Sequence, residues 1–246
     1  MKRNAYTLAE TLLTIGIVGI VAALTLPTVT TSYRKQIYAK TLSSAVSSFN
    51  TAISTMIIKE DRNNLLETDA WQEVQAGNNF NLSNADSAAT IRSFMARIRN
   101  GLSVSDYETN QLTYELLAGG AYSPLGGNGI RFKTNKGIEY LIHIDNASNL
   151  GARNELAAST QGYNYLNKAA DVCIDVNGEE NPNMLGRDLF CYELSTEGTL
   201  YPIGSRDQIL YNNGVLNVDV EDLCVNQRNG LFCAEYLAQN EYEMDY

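Results

Sequence analysis

Histidine is almost missing from this 246-residue chain: one residue, His143, stands against 28 acidic and 18 basic side chains. A lone histidine excludes His-rich metal patterns and leaves little for nucleophilic catalysis, where it is the usual base. His143 alternates with Ile142 and Ile144, so a strand there would turn it away from their side. No Gly-x-Ser-x-Gly elbow and no P-loop glycine pattern occur, and Gly126-Gly127-Asn128-Gly129 is a loop signal. Basic residues are too few to grip phosphates, and a net charge of -10 excludes nucleic acid as a partner. Carboxylates are so numerous that pairs of them discriminate nothing. No internal repeat is evident. The expectation is a protein that is not an enzyme, whose acidity keeps an exported domain soluble.

Charge is also lacking in one place: from Thr11 to Tyr33 there is none. An apolar run of that length can cross a bilayer as a helix, which takes about 20 residues. Glu10 borders it, and a carboxylate near a bilayer centre costs roughly 2.5–3.5 kcal/mol on insertion scales, so it calls for a partner. Pro27 lies inside the run, where a membrane helix accepts it as a kink. Beyond Arg34-Lys35, the residues Ile37, Leu42, Val46, Phe49, Ile53 and Met56/Ile57 form one apolar face of an amphipathic helix, with Ser and Thr opposite. Read as one element from Thr7 to Glu60, this helix would be about 80 Å long at 1.5 Å per residue. Its first half would lie in lipid and its second under a head. Asp61-Arg62-Asn63-Asn64 ends it.

Residues 61–129 read as a variable helical and loop insertion. Ile91, Phe94, Met95 and Ile98 have helical spacing after the capping candidates Asn84 and Asp86, and a second short helix is expected over Glu108–Leu117. Residues 130–246 read as an antiparallel sheet head. Ile130–Thr134 and Ile138–Asp145 flank the hairpin signal Asn135-Lys136-Gly137; Asp171–Val176, Leu189–Ser195 and Thr199–Ile203 continue the strands. Leu231–Gln239 reads as a helix before an acidic, Tyr-rich tail. The fold class expected is α+β, a long N-terminal helix packed against an antiparallel β-meander.

The four cysteines, Cys173, Cys191, Cys224 and Cys233, all fall late in the chain. Three disulfide connectivities are open to them. Sequence proximity joins Cys224 to Cys233, and expected neighbouring strands join Cys173 to Cys191; free buried thiols are the alternative for the latter pair. Asp175, Asn177 and Asp188 belong to a stretch dense in oxygen ligands and turn residues. It is either a structural hairpin loop with Asx turns or a calcium site, since calcium takes six to eight oxygens. Tyr192, Tyr201, Tyr211, Tyr236, Tyr242 and Tyr246 either pack the head or form an adhesive or subunit contact surface.

Met1-Lys2-Arg3-Asn4-Ala5-Tyr6-Thr7-Leu8-Ala9-Glu10 resembles the processing signal of type IV pilins, type II secretion pseudopilins and related filament subunits. The resemblance covers only about the first thirty residues. It makes residues 1–5 a basic leader cut after Ala5, with Tyr6 the new N-terminus, Glu10 at the family's glutamate and Pro27 at its helix kink. Ala5 and Tyr6 replace the usual Gly and Phe, both mild changes. The loop around Asp175 likewise looks like one found in pilin-like proteins, where it is a structural turn, and a C-terminal disulfide is common among them.

What the resemblance implies is a structural subunit of a type IV pilus-like or type II secretion-like filament. It would be processed by a prepilin peptidase/methyltransferase, N-methylated at Tyr6 and assembled through its N-terminal helix with Glu10 pairing to a neighbour's amino group. Its partners would be other filament subunits and an inner-membrane assembly platform. Its place would be the inner membrane, single-pass with the head outside the cytoplasm, and then a surface filament. A minor pilin serving as an adhesive or ligand-binding tip module, with Asp61–Gly129 as its recognition surface, is the alternative within the class. Outside it stand a secreted protein cut near Ala22-Ala23 and a plain membrane anchor.

Overall fold

The computed structural model describes residues 7–76, 93–94, 96–98, 102, 104–108, 113–117, 119–122, 130–143, 168–203, 205, 211–212, 215–216, 219–227 and 230–246. Leu8–Lys59 is a single helix, α1, of 52 residues, about 78 Å long at 1.5 Å per residue. Thr7 caps its start and Glu60 its end, within one residue of the expected bounds. From Leu8 to Val29 none of the described side chains is buried. With a mean hydropathy of 2.2 over its most apolar window, this helix is long and apolar enough to cross a membrane.

Past Tyr38 the helix is amphipathic. Ala39, Leu42, Ala45, Phe49, Ala52, Ile53 and Met56 are its buried row. Ile37 is 41% exposed and Val46 only partly buried, contrary to expectation. Alanines take the intervening positions because the sheet approaches α1 closely, so a scan for large apolar residues places the stripe slightly off. Gly198 shows how close: with φ +85°, a Cβ there would lie 2.7 Å from Ile53 Cγ2 and 2.8 Å from Ile57 Cδ1.

The strands are β1 (Val104–Glu108), β2 (Tyr114–Glu115), β3 (Ala121–Tyr122), β4 (Ile130–Thr134), β5 (Glu139–His143), β6 (Lys168–Asp175), β7 (Leu189–Ser195), β8 (Leu200–Pro202), β9 (Tyr211–Asn212) and β10 (Val215–Leu216). Strands β4 to β8 form the expected meander, and β1 adds antiparallel to β4, giving the order β1-β4-β5-β6-β7-β8. β2 pairs with β3, and β9 with β10. Short helices follow at α2 (Asp69–Ala76), α3 (Val220–Asp222) and α4 (Cys233–Gln239). The chain is thus α+β.

Two apolar layers explain why β6 and β7 are buried along nearly their whole length instead of alternating. One face puts Phe132, Tyr140, Ile142, Val172, Ile174, Phe190 and Tyr192 against α1, where Phe49 stacks on Tyr140 at 5.4 Å and Tyr140 on Phe132 at 5.1 Å. The other face, with Leu141, Cys173, Leu189 and Cys191, lies under Tyr114, Leu185, Leu231 and Phe232. The helix expected over Glu108–Leu117 is not formed at its described residues. Glu115 N donates to Asn183 O and Leu185 N to Glu115 O, so the segment pairs with the Asp175–Asp188 loop as a strand. Trp71, Phe94 and Ile98 from region 61–129 are buried in the same core as α1. The capping candidates Asn84 and Asp86, the glycines at 126–129 and the end of the strand expected to reach Asp145 lie outside the described residues.

Candidate functional site

Glu10 is the third residue of α1 and belongs to its cap. Thr7 Oγ1 accepts from Glu10 N at 3.3 Å, while Glu10 Oε2 accepts from Thr7 N at 2.8 Å and from Thr7 Oγ1 at 3.0 Å. This reciprocal capping box satisfies donors that a helix start otherwise leaves open. The carboxylate therefore sits at the positive end of the helix dipole and at the edge of the apolar segment, not at its centre. The hydroxyls of Thr11, Thr14, Thr25 and Thr30 donate back to Leu8, Glu10, Val21 and Leu26 carbonyls, so that the apolar half shows few unsatisfied polar groups. The helix runs on through Pro27. Ala5 and Tyr6 lie outside the described residues.

The Asp175–Asp188 loop is held by its own carboxylates. Asp175 Oδ1 accepts from Asn177 N at 3.1 Å and Gly178 N at 2.8 Å, and Oδ2 from the Tyr114 hydroxyl at 2.9 Å. Asp188 accepts from Asn183 N at 2.7 Å and Met184 N at 2.6 Å. Asn177 Nδ2 donates to Glu180 O at 2.7 Å. Each carboxylate oxygen thus takes an N–H or O–H donor, the pattern of a hairpin loop held by Asx turns. Among the described residues no group of three or more His, Cys, Asp or Glu could hold a metal ion. Both aspartates are fully buried. Burial, and then the neighbouring Asp188 charge, pushes Asp175 up to about 8. Burial also raises Asp188, against the pull of its two N–H donors.

The cysteines pair as the sequence order favours. Cys173 and Cys191 face each other across β6 and β7 and are bonded, as are Cys224 and Cys233. The late tyrosines mostly pack the head. Tyr192 and Tyr236 are buried, and Tyr242 and Tyr246 rest against the core; the side chain of Tyr211 lies outside the described residues. His143 ends β5 opposite Asp171 of β6, with its side chain outside the described set.

One arrangement carries no signal in the sequence. Arg187 Nη1 donates to the main-chain oxygen of Tyr246 at 2.6 Å, and its guanidinium lies 5.4 Å from the Tyr246 ring centroid. Lys35 of α1 donates to the same oxygen. Tyr246 OH donates in turn to Gly186 O at 2.7 Å. The tail is thereby fastened to α1 where that helix leaves its apolar half. Residues 35 and 187 are too far apart in sequence for any motif to pair them. Searches of protein-family models, curated proteins and solved structures find no match to this chain.

Proposed function

We propose that the chain is a structural subunit of a type IV pilus-like or type II secretion-like filament, cut between Ala5 and Tyr6 and polymerised through α1. The observation that carries this is α1 itself. It is a continuous helix of 52 residues, its described side chains unburied from Leu8 to Val29, fixed to a head over its second half, with one carboxylate at its start. A plain anchor needs neither the carboxylate nor an unbroken rod.

Cutting before Tyr6 would create an amino group with a reference pKa of about 7.7–8.0, cationic at neutral pH, and methylation keeps the charge. At about 4 Å and an effective dielectric of 20, pairing with Glu10 of another subunit is worth roughly 4 kcal/mol. In the lone subunit Glu10 is occupied by Thr7. Assembly would exchange that internal partner for a neighbour's amino group, drawing the arriving subunit into axial register. Gly16 and Gly19, with nothing within 4 Å, leave room for another helix to approach closely. Single-pass insertion with the head outside the cytoplasm, processing by a prepilin peptidase/methyltransferase and docking on an assembly platform belong to the same proposal. Glu10→Ala is expected to be cleaved normally and to form few or no filaments. Wild-type filament yield from that variant would remove the role given to Glu10.

A further inference from the structure

The head meets α1 at a cavity of about 270 Å³, close to the lower bound of small-molecule pockets. Its lining includes Arg34, Lys35, Tyr38, Pro182, Arg187 and Met244, and no carboxylate. This is unusual for a chain of net charge -10. Lys35 and Arg187 are held side by side on the Tyr246 main-chain oxygen. Burial, and then the Arg187 charge, holds Lys35 below the ordinary lysine range, while the nearby Asp245 charge opposes this. Asp245 is itself engaged by the Tyr236 hydroxyl at 2.7 Å. Asp188, Glu180 and Asp175 bear on the Tyr38 hydroxyl without lining the cavity, so it is the lining itself, and not the wider surroundings, that is cationic. Arg34 is exposed, with no hydrogen-bond or ion-pair partner among the described residues.

The location of these lining cations matters. Arg34 is the first charge after Glu10, and it comes five residues beyond Val29, about 7.5 Å at 1.5 Å per residue. The polar layer of a bilayer adds about 5–7 Å on each side of the hydrocarbon. Side chains on a helix tilt toward its N-terminus, so Arg34, Lys35 and Tyr38 lean toward the membrane. Met244 and Pro182 supply an apolar wall.

We infer that this cavity binds the phosphate headgroup of an anionic phospholipid in the leaflet the head rests on. The inference rests on α1 being a membrane span. Lys and Arg clustered beside a membrane span attract anionic headgroups. The phosphodiester takes Arg34 and the exposed edge of the Arg187–Lys35 pair, and the glycerol lies along Met244 and Pro182. The lipid holds the subunit at fixed depth, and leaving the bilayer for a filament requires its release.

The test uses the full chain in mild detergent, titrated with short-chain phosphatidylglycerol, short-chain phosphatidylcholine and inorganic phosphate, with bound molecules counted by native mass spectrometry. Phosphatidylglycerol is expected to bind in preference to the other two. Arg34→Gln, which removes no hydrogen bond or ion pair among the described residues, should weaken it about fivefold, from the roughly 1 kcal/mol carried by each juxtamembrane cation. Lys136→Gln, an exposed charge on the β4–β5 turn, should leave it unchanged. Equal retention of phosphatidylcholine, or equal effects of the two variants, overturns the site. Inorganic phosphate binding as tightly as the lipid overturns it in favour of a soluble phosphate. Self-association that displaces the lipid and depends on Arg34 overturns it in favour of a second copy. Flotation with phosphatidylcholine vesicles separates the two levels of failure. A chain left in the aqueous layer overturns the membrane span and the lipid site together; one that floats without lipid preference overturns the lipid site alone.

Discussion

Acidification from pH 8 to pH 5 should stabilise the head, and Asp175 should be the main reason. Its carboxyl is fully buried beside Asp188, and its pKa is raised to about 8 from an unfolded value near 3.9. A raised folded-state value means the native form binds the proton more tightly. The associated stability is complete below the unfolded value and is lost as the pH rises through about 8. At about 1.4 kcal/mol per unit, the interval from pH 5 to pH 8 is worth on the order of 3 kcal/mol. Asp188 is raised too and adds in the same direction. Asp175→Asn isolates the effect. Asparagine keeps an oxygen for the N–H groups of Asn177 and Gly178 and sets an amide against the Tyr114 hydroxyl, much as the protonated acid would. Urea denaturation of the full chain in detergent, followed by tryptophan fluorescence of the buried Trp71, reads the difference. With a slope of about 3 kcal/mol per molar, the wild-type midpoint should fall by about 1 M between pH 5 and pH 8. Asp175→Asn should lose most of that fall. Identical pH dependence in wild type and variant would refute the account of the buried aspartate.

Gly198→Ala should destabilise the head by about 2–4 kcal/mol, combining the cost of a positive φ with overpacking against Ile53 and Ile57; thermal unfolding checks it, and a change under about 0.5 kcal/mol would contradict the close α1–sheet approach. Replacing both Cys173 and Cys191 by alanine should cost about 3 kcal/mol, as expected for closing an 18-residue separation; denaturation of the oxidised proteins measures it. Calcium or a chelator should leave the melting temperature unchanged, because Asp175 and Asp188 already hold N–H and O–H donors. A clear upward shift with calcium would show that the loop rearranges to bind it.

The elements most legible in the sequence were those whose signals are local. The charge gap from Thr11 to Tyr33 and the turn at Asp61–Asn64 bounded α1 to within a residue, because lipid-length hydrophobicity and a cluster of turn formers are read directly from composition. Strand β7 fell where expected, and the Asn135-Lys136-Gly137 hairpin joined β4 to β5. Long-range partners were not legible. The segment containing Tyr114 pairs with β3 and also with the distant loop at Asn183 and Leu185, and nothing near Tyr114 in the sequence records the second pairing. The all-buried β6 and β7 hide their two faces, since alternation vanishes when both sides are covered. Lys35, Arg187 and Tyr246 meet only in three dimensions. Asp175 and Asp188 stand in one oxygen-rich stretch of the sequence, but only the fold shows their oxygens accepting from backbone N–H groups.

The most direct test of the filament account is the N-terminal mass spectrum of the protein recovered from the membrane and surface fractions of cells that make it. A chain beginning at Tyr6 with one added methyl group is the predicted result. An intact Met1, or a chain starting near Ala23, would contradict cleavage after Ala5, and the assembly role proposed for Glu10 would fall with it.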